Sequence, residues 1–181
     1  MSLMGIDVGT TGCKVIALAL DGAILAGAQR EYNMVRPQPG WAELDTYDVW
    51  DKVRNCIRAA ASGTAGDPVR ALAVCSLGEA VVPVSAECKI LGPSLLNFDV
   101  RGTEYLQALS TRLDPQRLYA INGNTLGNHF SLTKLMWLRD HEPGIYAQTA
   151  AFMHWGGFVT MMLGGEPVLD YSLANRSLLF D

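Results

Sequence analysis

A mixed α/β architecture is predicted by three features of the sequence. Two apolar runs flank a Gly/Thr cluster and lead into a third, loosely alternating run; a long segment then carries apolar residues at helical spacing; a mostly apolar run follows it.

Residues 3–6 and 14–20 are the first two predicted strands, separated by Gly9-Thr10-Thr11-Gly12. Asp21-Gly22 is a strong hairpin signal and hands the chain to a third strand over 23–32. Residues 35–45, with Pro37, Pro39 and Gly40, form an irregular connection that delivers Asp45 or Thr46 as a helix N-cap. Val49, Trp50, Val53, Ile57 and Ala60 recur at helical spacing, so 47–61 is an amphipathic helix ending near Ser62-Gly63. Residues 69–75, apolar apart from Arg70, are expected to be a buried central strand. A hairpin, 81–84 with 89–91, turns at Ala86-Glu87. After Pro93 come a loop at Asn97-Phe98-Asp99-Val100-Arg101 and a helix from 103 to about 113. Residues 118–130 are rich in loop formers, 131–139 are helical, and Gly144 closes that helix. Two short apolar segments, 150–153 and 158–163, and an irregular 168–172 complete the chain. Three antiparallel strands, a helix and a buried strand are the opening order of the ribonuclease-H-like fold, used as a lobe by the actin, hexokinase and Hsp70 superfamily.

The 181 residues suit one domain or a piece of a larger one, and 49% apolar content excludes a disordered chain. A formal charge of −4 and the lack of any long Lys/Arg run leave no electrostatic footprint for nucleic acid or an anionic membrane. Cys13, Cys56, Cys75 and Cys88 form no C-x-x-C pair and read as free thiols of a reducing compartment. The greasiest stretch, 150–163, is shorter than the ~20 residues a bilayer requires. No secretory signal is visible at the start, so a cytoplasmic location is expected.

Chemistry concentrates first in Ile6-Asp7-Val8-Gly9-Thr10-Thr11-Gly12-Cys13-Lys14. Gly9 and Gly12 permit close backbone approach and positive φ, so successive N–H groups can face a phosphate. Thr10 and Thr11 add hydroxyl donors, Lys14 a point charge, and Asp7 a carboxylate able to hold Mg²⁺ through water. A tight Gly-Thr turn beside an incidental aspartate accounts for the same residues. Neither a Walker A loop nor a G-x-G-x-x-G is present. The second cluster, Ser76-Leu77-Gly78-Glu79, ends the apolar strand, where open α/β sheets bind ligands. As an alternative, Glu79 is an exposed strand-end residue in a turn.

The chain resembles the FGGY carbohydrate kinase family, the group containing xylulokinase, glycerol kinase and gluconate kinase. The resemblance rests on the D-x-G-T-T-x-x-K loop, Pro39-Gly40-Trp41-Ala42-Glu43-Leu44-Asp45 with Trp50 after it, and Asp99-Val100-Arg101. Gly123-Asn124, Lys134-Leu135-Met136-Trp137, His141-Glu142-Pro143 and Asp170-Tyr171-Ser172 with Ala174 continue it in order. It implies ATP-dependent phosphorylation of a sugar or polyol hydroxyl in a cleft between two lobes, with Mg²⁺ neutralising charge and a carboxylate accepting the proton. Asp7, Gly9, Thr10, Thr11, Gly12 and Lys14 would then contact the nucleotide phosphates. Gly78, Glu79, Asn97, Phe98, Asp99 and His129 would fall at the substrate. The chain departs from the pattern at Gly78, where members carry a larger residue, and at Asn97-Phe98, where they place tryptophan and then a polar residue. The Asp99/Arg101 pair has a second reading as a loop brace, and His129 as a solvated histidine. Glu79 and Asn97 favour a ketopentose or polyol over a sugar acid.

The family's catalytic aspartate belongs to a Gly-Gly-x-Asp segment, which is missing here, so the base is expected beyond Asp181 and no catalytic residue within the chain. The family's adenosine pocket comes from the second lobe. Residues 1–181 are therefore expected to be an incomplete N-terminal kinase domain, inactive alone and poorly covered on one side. Family members commonly dimerise, but no interface is legible. A short, non-catalytic sugar- or phosphate-binding protein of the same fold is the competing expectation; a chaperone-like or actin-like ATPase is a weaker one.

Overall fold

Strict alternation of buried Ser2, Met4, Ile6 and Val8 with exposed neighbours makes β1 (Ser2–Val8) a strand with one covered face. The computed structural model describes residues 1–180. Asp181, the expected end of the domain and the point beyond which the catalytic aspartate is expected, lies outside the described residues. β1 pairs antiparallel with β2 (Gly12–Ala19), which pairs antiparallel with β3 (Ile24–Glu31) across the Asp21-Gly22 turn, where Gly22 has φ of +90°. Inside the stretch expected to be irregular, a two-residue strand β4 (Glu43–Leu44) forms and Val35 bridges to Glu43. Asp45 then caps α1 (Thr46–Ser62), its carboxylate accepting from the N–H groups of Tyr47 and Asp48, and Gly63 ends the helix. Val49, Val53, Cys56 and Ala60 are the buried face of that helix, as their spacing requires.

β5 (Val69–Ser76) lies parallel to β1 and gives the sheet order β3-β2-β1-β5. The expectation of a buried central position for 69–75 is overturned. Among the described residues β5 is an edge strand, and Leu72 is 45% exposed. The reason is one-sided cover. α1 and the later α6 (Trp155–Met162) meet through Trp50 and Phe158, whose rings lie 5.9 Å apart, on the face that carries Met4, Ile6, Val8 and Val15. The opposite face is a depression of about 410 Å³ floored by Gly5, Asp7, Lys14, Ile16, Leu18 and Ala73.

β6 (Ala80–Val84) is buried at every position and turns at Ser85–Lys89, with Cys88 at φ +60°. It nucleates a second sheet that the sequence did not announce. That sheet is antiparallel throughout, in the order β4-β7-β6-β8, with β7 (Ser94–Leu96) and β8 (Ala151–His154). The helix expected from 103 to 113 is a 3-10 turn, Thr103–Tyr105, and a short α2 (Leu106–Ser110). Part of the stretch expected to be loop is helical, α3 (Pro115–Asn122), because Asp114 caps it and Pro115 is preset for the first turn. α4 (Ser131–His141) ends at Glu142, not at Gly144, which lies inside α5 (Pro143–Gln148). Asp170 caps α7 (Tyr171–Arg176) in a region expected to be irregular, accepting from Ser172 and Leu173 N–H groups. No helix among the described residues is long and apolar enough to cross a membrane.

Candidate functional site

The loop Gly9–Gly12 leaves β1 at the end where β5 also finishes. Val8 and Ser76 are register partners in the two parallel strands, and Leu77 N–H donates to Val8 O at 2.8 Å. Residues 9–12 and 77–79 thus emerge side by side from the carboxyl ends of adjoining parallel strands, the usual ligand edge of such a sheet. Asp7 and Lys14 are register partners across β1 and β2, both exposed on the open face, and both also line a hollow of about 180 Å³ with Thr11, Gly12 and Arg30.

Gly9 N–H closes the loop on Gly12 O at 2.9 Å. Contrary to expectation, neither glycine adopts a positive φ. The close backbone approach also expected of them is present: a Cβ on Gly12 would lie 2.8 Å from Arg30 O, and one on Gly9 would lie a tight 3.1 Å from Gly12 O. Tyr32, which the sequence did not single out, fastens the turn from below, its hydroxyl 2.7 Å from Gly9 O and 3.0 Å from Gly12 O.

Glu79 is 5% exposed, and its Oε1 accepts from the Ser131 hydroxyl at the start of α4, while Oε2 has no partner among the described residues. Burial pushes its carboxyl up to about 7; the Ser131 bond and the cations Arg176 and Lys134 pull the other way. It is therefore not the exposed turn residue of the alternative reading. Gly78 beside it has nothing within 4 Å of where a Cβ would stand, so the space next to Glu79 is open. His129 is exposed, with its ring 4.0 Å from that of Phe130, and the Arg176 guanidinium lies 5.0 Å from the same Phe130 ring. Burial and the charges of Arg176 and Lys134 hold the imidazole below its ordinary range. Glu79, His129 and Arg176 thus share one corner.

Asp99 is not available to a substrate, which corrects its expected place there and favours the alternative reading of the Asp99/Arg101 pair as a loop brace. It is fully buried, and its carboxylate accepts from Ala42 N–H at 2.6 Å and from Arg101 N–H, Nε and Nη2. Burial works against the charged form, but those donors outweigh it and hold the carboxyl below its ordinary value. Arg101 also reaches Glu43 and lies 3.9 Å above the Trp41 ring. Phe98 is 46% exposed, under Arg36 at 6.0 Å, and Asn97 beside it is half-buried. Lys134 is 2% exposed, and its Nζ donates to the carbonyls of Asp99, Arg101 and Asn128, joining the 97–101 loop to the His129 loop. A lone lysine among the apolar residues of α4 is the signal that could have marked it.

His154, at the end of β8, is 2% exposed with both ring nitrogens unpartnered among the described residues, and burial lowers it to about 4, leaving it neutral. No cluster of three His, Cys, Asp or Glu suited to a metal occurs among the described residues. Two carboxylates lie beside the loop: Asp7, opposite Lys14, and Glu31, the register partner of Gly12.

Over 178 residues the chain is 28% identical to the xylulose kinase of Escherichia coli (strain K12), covering 98% of this chain and 36% of that protein. It is 31% identical over 186 residues to the glycerol kinase of Methylorubrum extorquens (strain PA1), covering 96% of this chain and 37% of that protein. The fold matches the crystal structure of xylulose kinase from Rhodospirillum rubrum with a TM-score of 0.91 at 27% identity, over 100% of this chain and 38% of that one. The chain spans little more than a third of the length of these relatives. Residues 2–181 match the N-terminal domain of the FGGY family of carbohydrate kinases, and the chain belongs to that family.

Proposed function

We propose that the chain is the front of the first lobe of a kinase that transfers a phosphoryl group from ATP to a hydroxyl of a sugar or polyol. The observation that carries this reading is the common exit of the 9–12 loop and the Glu79 segment from adjoining parallel strands. A phosphate donor held by the first would lie next to an acceptor held by the second.

The residues fit the groups they would hold. Thr10, Thr11 and the loop N–H groups suit phosphate oxygens, and Lys14 supplies the cation; Asp7, a single carboxylate, suits a Mg²⁺ that keeps most of its water. Magnesium would supply neutralisation of phosphate charge. Glu79 Oε2, buried and unpartnered, suits a hydroxyl donor, and the space at Gly78 admits a larger acceptor than a filled position would. His129 and Asn97 flank that acceptor in this reading. A carboxylate at Glu79 disfavours an anionic substrate, so a ketopentose or polyol is the class proposed. The catalytic base, expected beyond Asp181, and the adenosine site would come from the remaining two thirds of a protein as long as the relatives, which would also cover the open sheet face. Unpaired thiols suit a reducing compartment.

The test is a phosphorylation assay of the whole protein with MgATP and a panel of ketoses, polyols and aldonic acids. Transfer to a ketose or polyol supports the proposal. Turnover with aldonic acids alone sinks the substrate class, and sugar binding without transfer favours the non-catalytic alternative.

A further inference from the structure

A loop that binds phosphate must turn donors outward and acceptors away, because a carbonyl oxygen facing an anion repels it. In the 9–12 loop three carbonyls are disposed of by one residue. Gly9 O and Gly12 O lie 2.7 and 3.0 Å from the Tyr32 hydroxyl, and Thr11 O accepts from Tyr32 N–H at 3.1 Å. Gly12 O also takes the Gly9 N–H. Tyr32 is 4% exposed and belongs to the core packed beneath the sheet, so its ring is a fixed anchor and not a surface contact. Desolvation, with nearby Cys13 and Asp7 adding to it, raises the phenol above its ordinary range and keeps it a proton donor at every working pH.

We propose that Tyr32 is the positioning residue of the phosphate loop: its hydroxyl and main-chain N–H draw the carbonyls of Gly9, Thr11 and Gly12 inward, leaving the Thr10 and Thr11 N–H groups facing the nucleotide phosphates. The inference rests on the kinase reading, and it adds a role for a residue that touches neither substrate. One phenolic proton serves two acceptors, so both ends of the turn are held by a single group. Its removal leaves Gly9 O without a donor and free to swing outward, and leaves Gly12 O held by the Gly9 N–H alone, while the ring still fills its place.

The experiment uses the whole protein and its Tyr32→Phe variant, titrated calorimetrically with ATP and, separately, with adenosine. ATP binding by the wild type is the control for the kinase reading; if it is absent, both the reading and the inference fail. Given that binding, Tyr32→Phe is expected to weaken ATP about 5- to 30-fold and adenosine less than about two-fold. Equal weakening of both ligands, or of neither, overturns the inference while leaving the kinase reading intact. Hydrogen exchange of the unmutated protein gives an independent check. The Gly9 and Tyr32 amides should exchange slowly without ligand, and the Thr10 and Thr11 amides fast, slowing with ATP but not with adenosine. Protected Thr10 and Thr11 amides in the free protein would likewise overturn it.

Discussion

Arg101 Nη2 donates to Glu43 Oε2 at 2.8 Å, tying the 97–101 loop to the short strand β4 across 58 positions of sequence. The same guanidinium clasps Asp99 and lies against the Trp41 and Trp137 rings, at 3.9 and 5.2 Å. Trp41, Glu43, Asp99, Arg101, Lys134 and Trp137 are therefore one buried assembly, although they come from three separate stretches of chain. Its job is architectural. It sets where Asn97 and His129 stand relative to Glu79.

Because Asp99 is fully buried, its carboxylate depends on the several donors that the Arg101 guanidinium aims at it. Arg101→Lys keeps the charge but loses the planar fork and the stacking on two indoles. We expect destabilisation of about 2–4 kcal/mol by denaturant unfolding. A variant within about 0.5 kcal/mol of wild type, as for an ordinary surface change, would refute the role of this network.

Gly12 and Gly5 make a matched pair on neighbouring strands. A Cβ at Gly12 would stand 2.8 Å from Arg30 O, so Gly12→Ala must push β2 from β3 at the mouth of the loop, whereas a Cβ at Gly5 meets nothing within 4 Å. Gly12→Ala should cost about 1–3 kcal/mol, and Gly5→Ala should be neutral or slightly stabilising. Melting curves of the two variants decide it; similar shifts would mean that the loop is looser than its contacts imply.

Much of this was legible in the sequence, for identifiable reasons. β1 to β3 and α1 follow from local signals: alternation, an Asp-Gly corner, an aspartate cap and a helical stripe. The second sheet was not, because β4 and β7 have two and three residues and form by pairing with strands elsewhere in the chain, as Glu43 does with Leu95 and Ala80 with Leu96. β5 read as central from its apolar run, yet that run records what a strand is built to be covered by, not what this chain supplies. In the candidate site, position and residue type point to Glu79 and the 9–12 loop, and the structure brings the two segments to one edge of the sheet. The brace between Asp99 and Arg101 was legible because the two lie two positions apart; the Ala42 bond that completes it, 57 positions away, was not, and a core tyrosine such as Tyr32 carries no motif.

Glu79 makes stability depend on pH in a definite direction. Its carboxyl rises from 4.5 in the unfolded chain to about 7 in the folded protein. Below about pH 4.5 it is protonated in both states, and its burial costs nothing electrostatic; as pH rises through 7 the folded state must hold a buried charge, and that stability is lost. Glu79→Gln should flatten this decline and exceed wild type above about pH 7 by no more than about 3 kcal/mol. Unfolding titrations between about pH 4.5 and 8 test it, and parallel curves for the two proteins would show that Glu79 does not titrate there.

Lys134 offers the sharpest separation between a brace and a charge. Burial drives its ammonium down to about 8, with Asp99 and Glu79 opposing the fall. Its worth lies in the three carbonyls, Asp99, Arg101 and Asn128, that converge on Nζ. Lys134→Met preserves the length and apolar stem but leaves the Arg101 and Asn128 carbonyls without this donor, at about 1–3 kcal/mol for the first and less for a carbonyl that reaches water, while Asp99 O keeps the Asn128 Nδ2 donor at 2.9 Å. Since two loops are released together, the 97–101 and 124–130 segments should gain hydrogen exchange in step, while β1 and α1 keep theirs. If the ammonium mattered only as a neutralising charge for Glu79, the Met variant would instead raise the carboxyl further and leave loop exchange unchanged. Exchange mapped segment by segment, together with the pH midpoint of the unfolding curve, separates the two mechanisms.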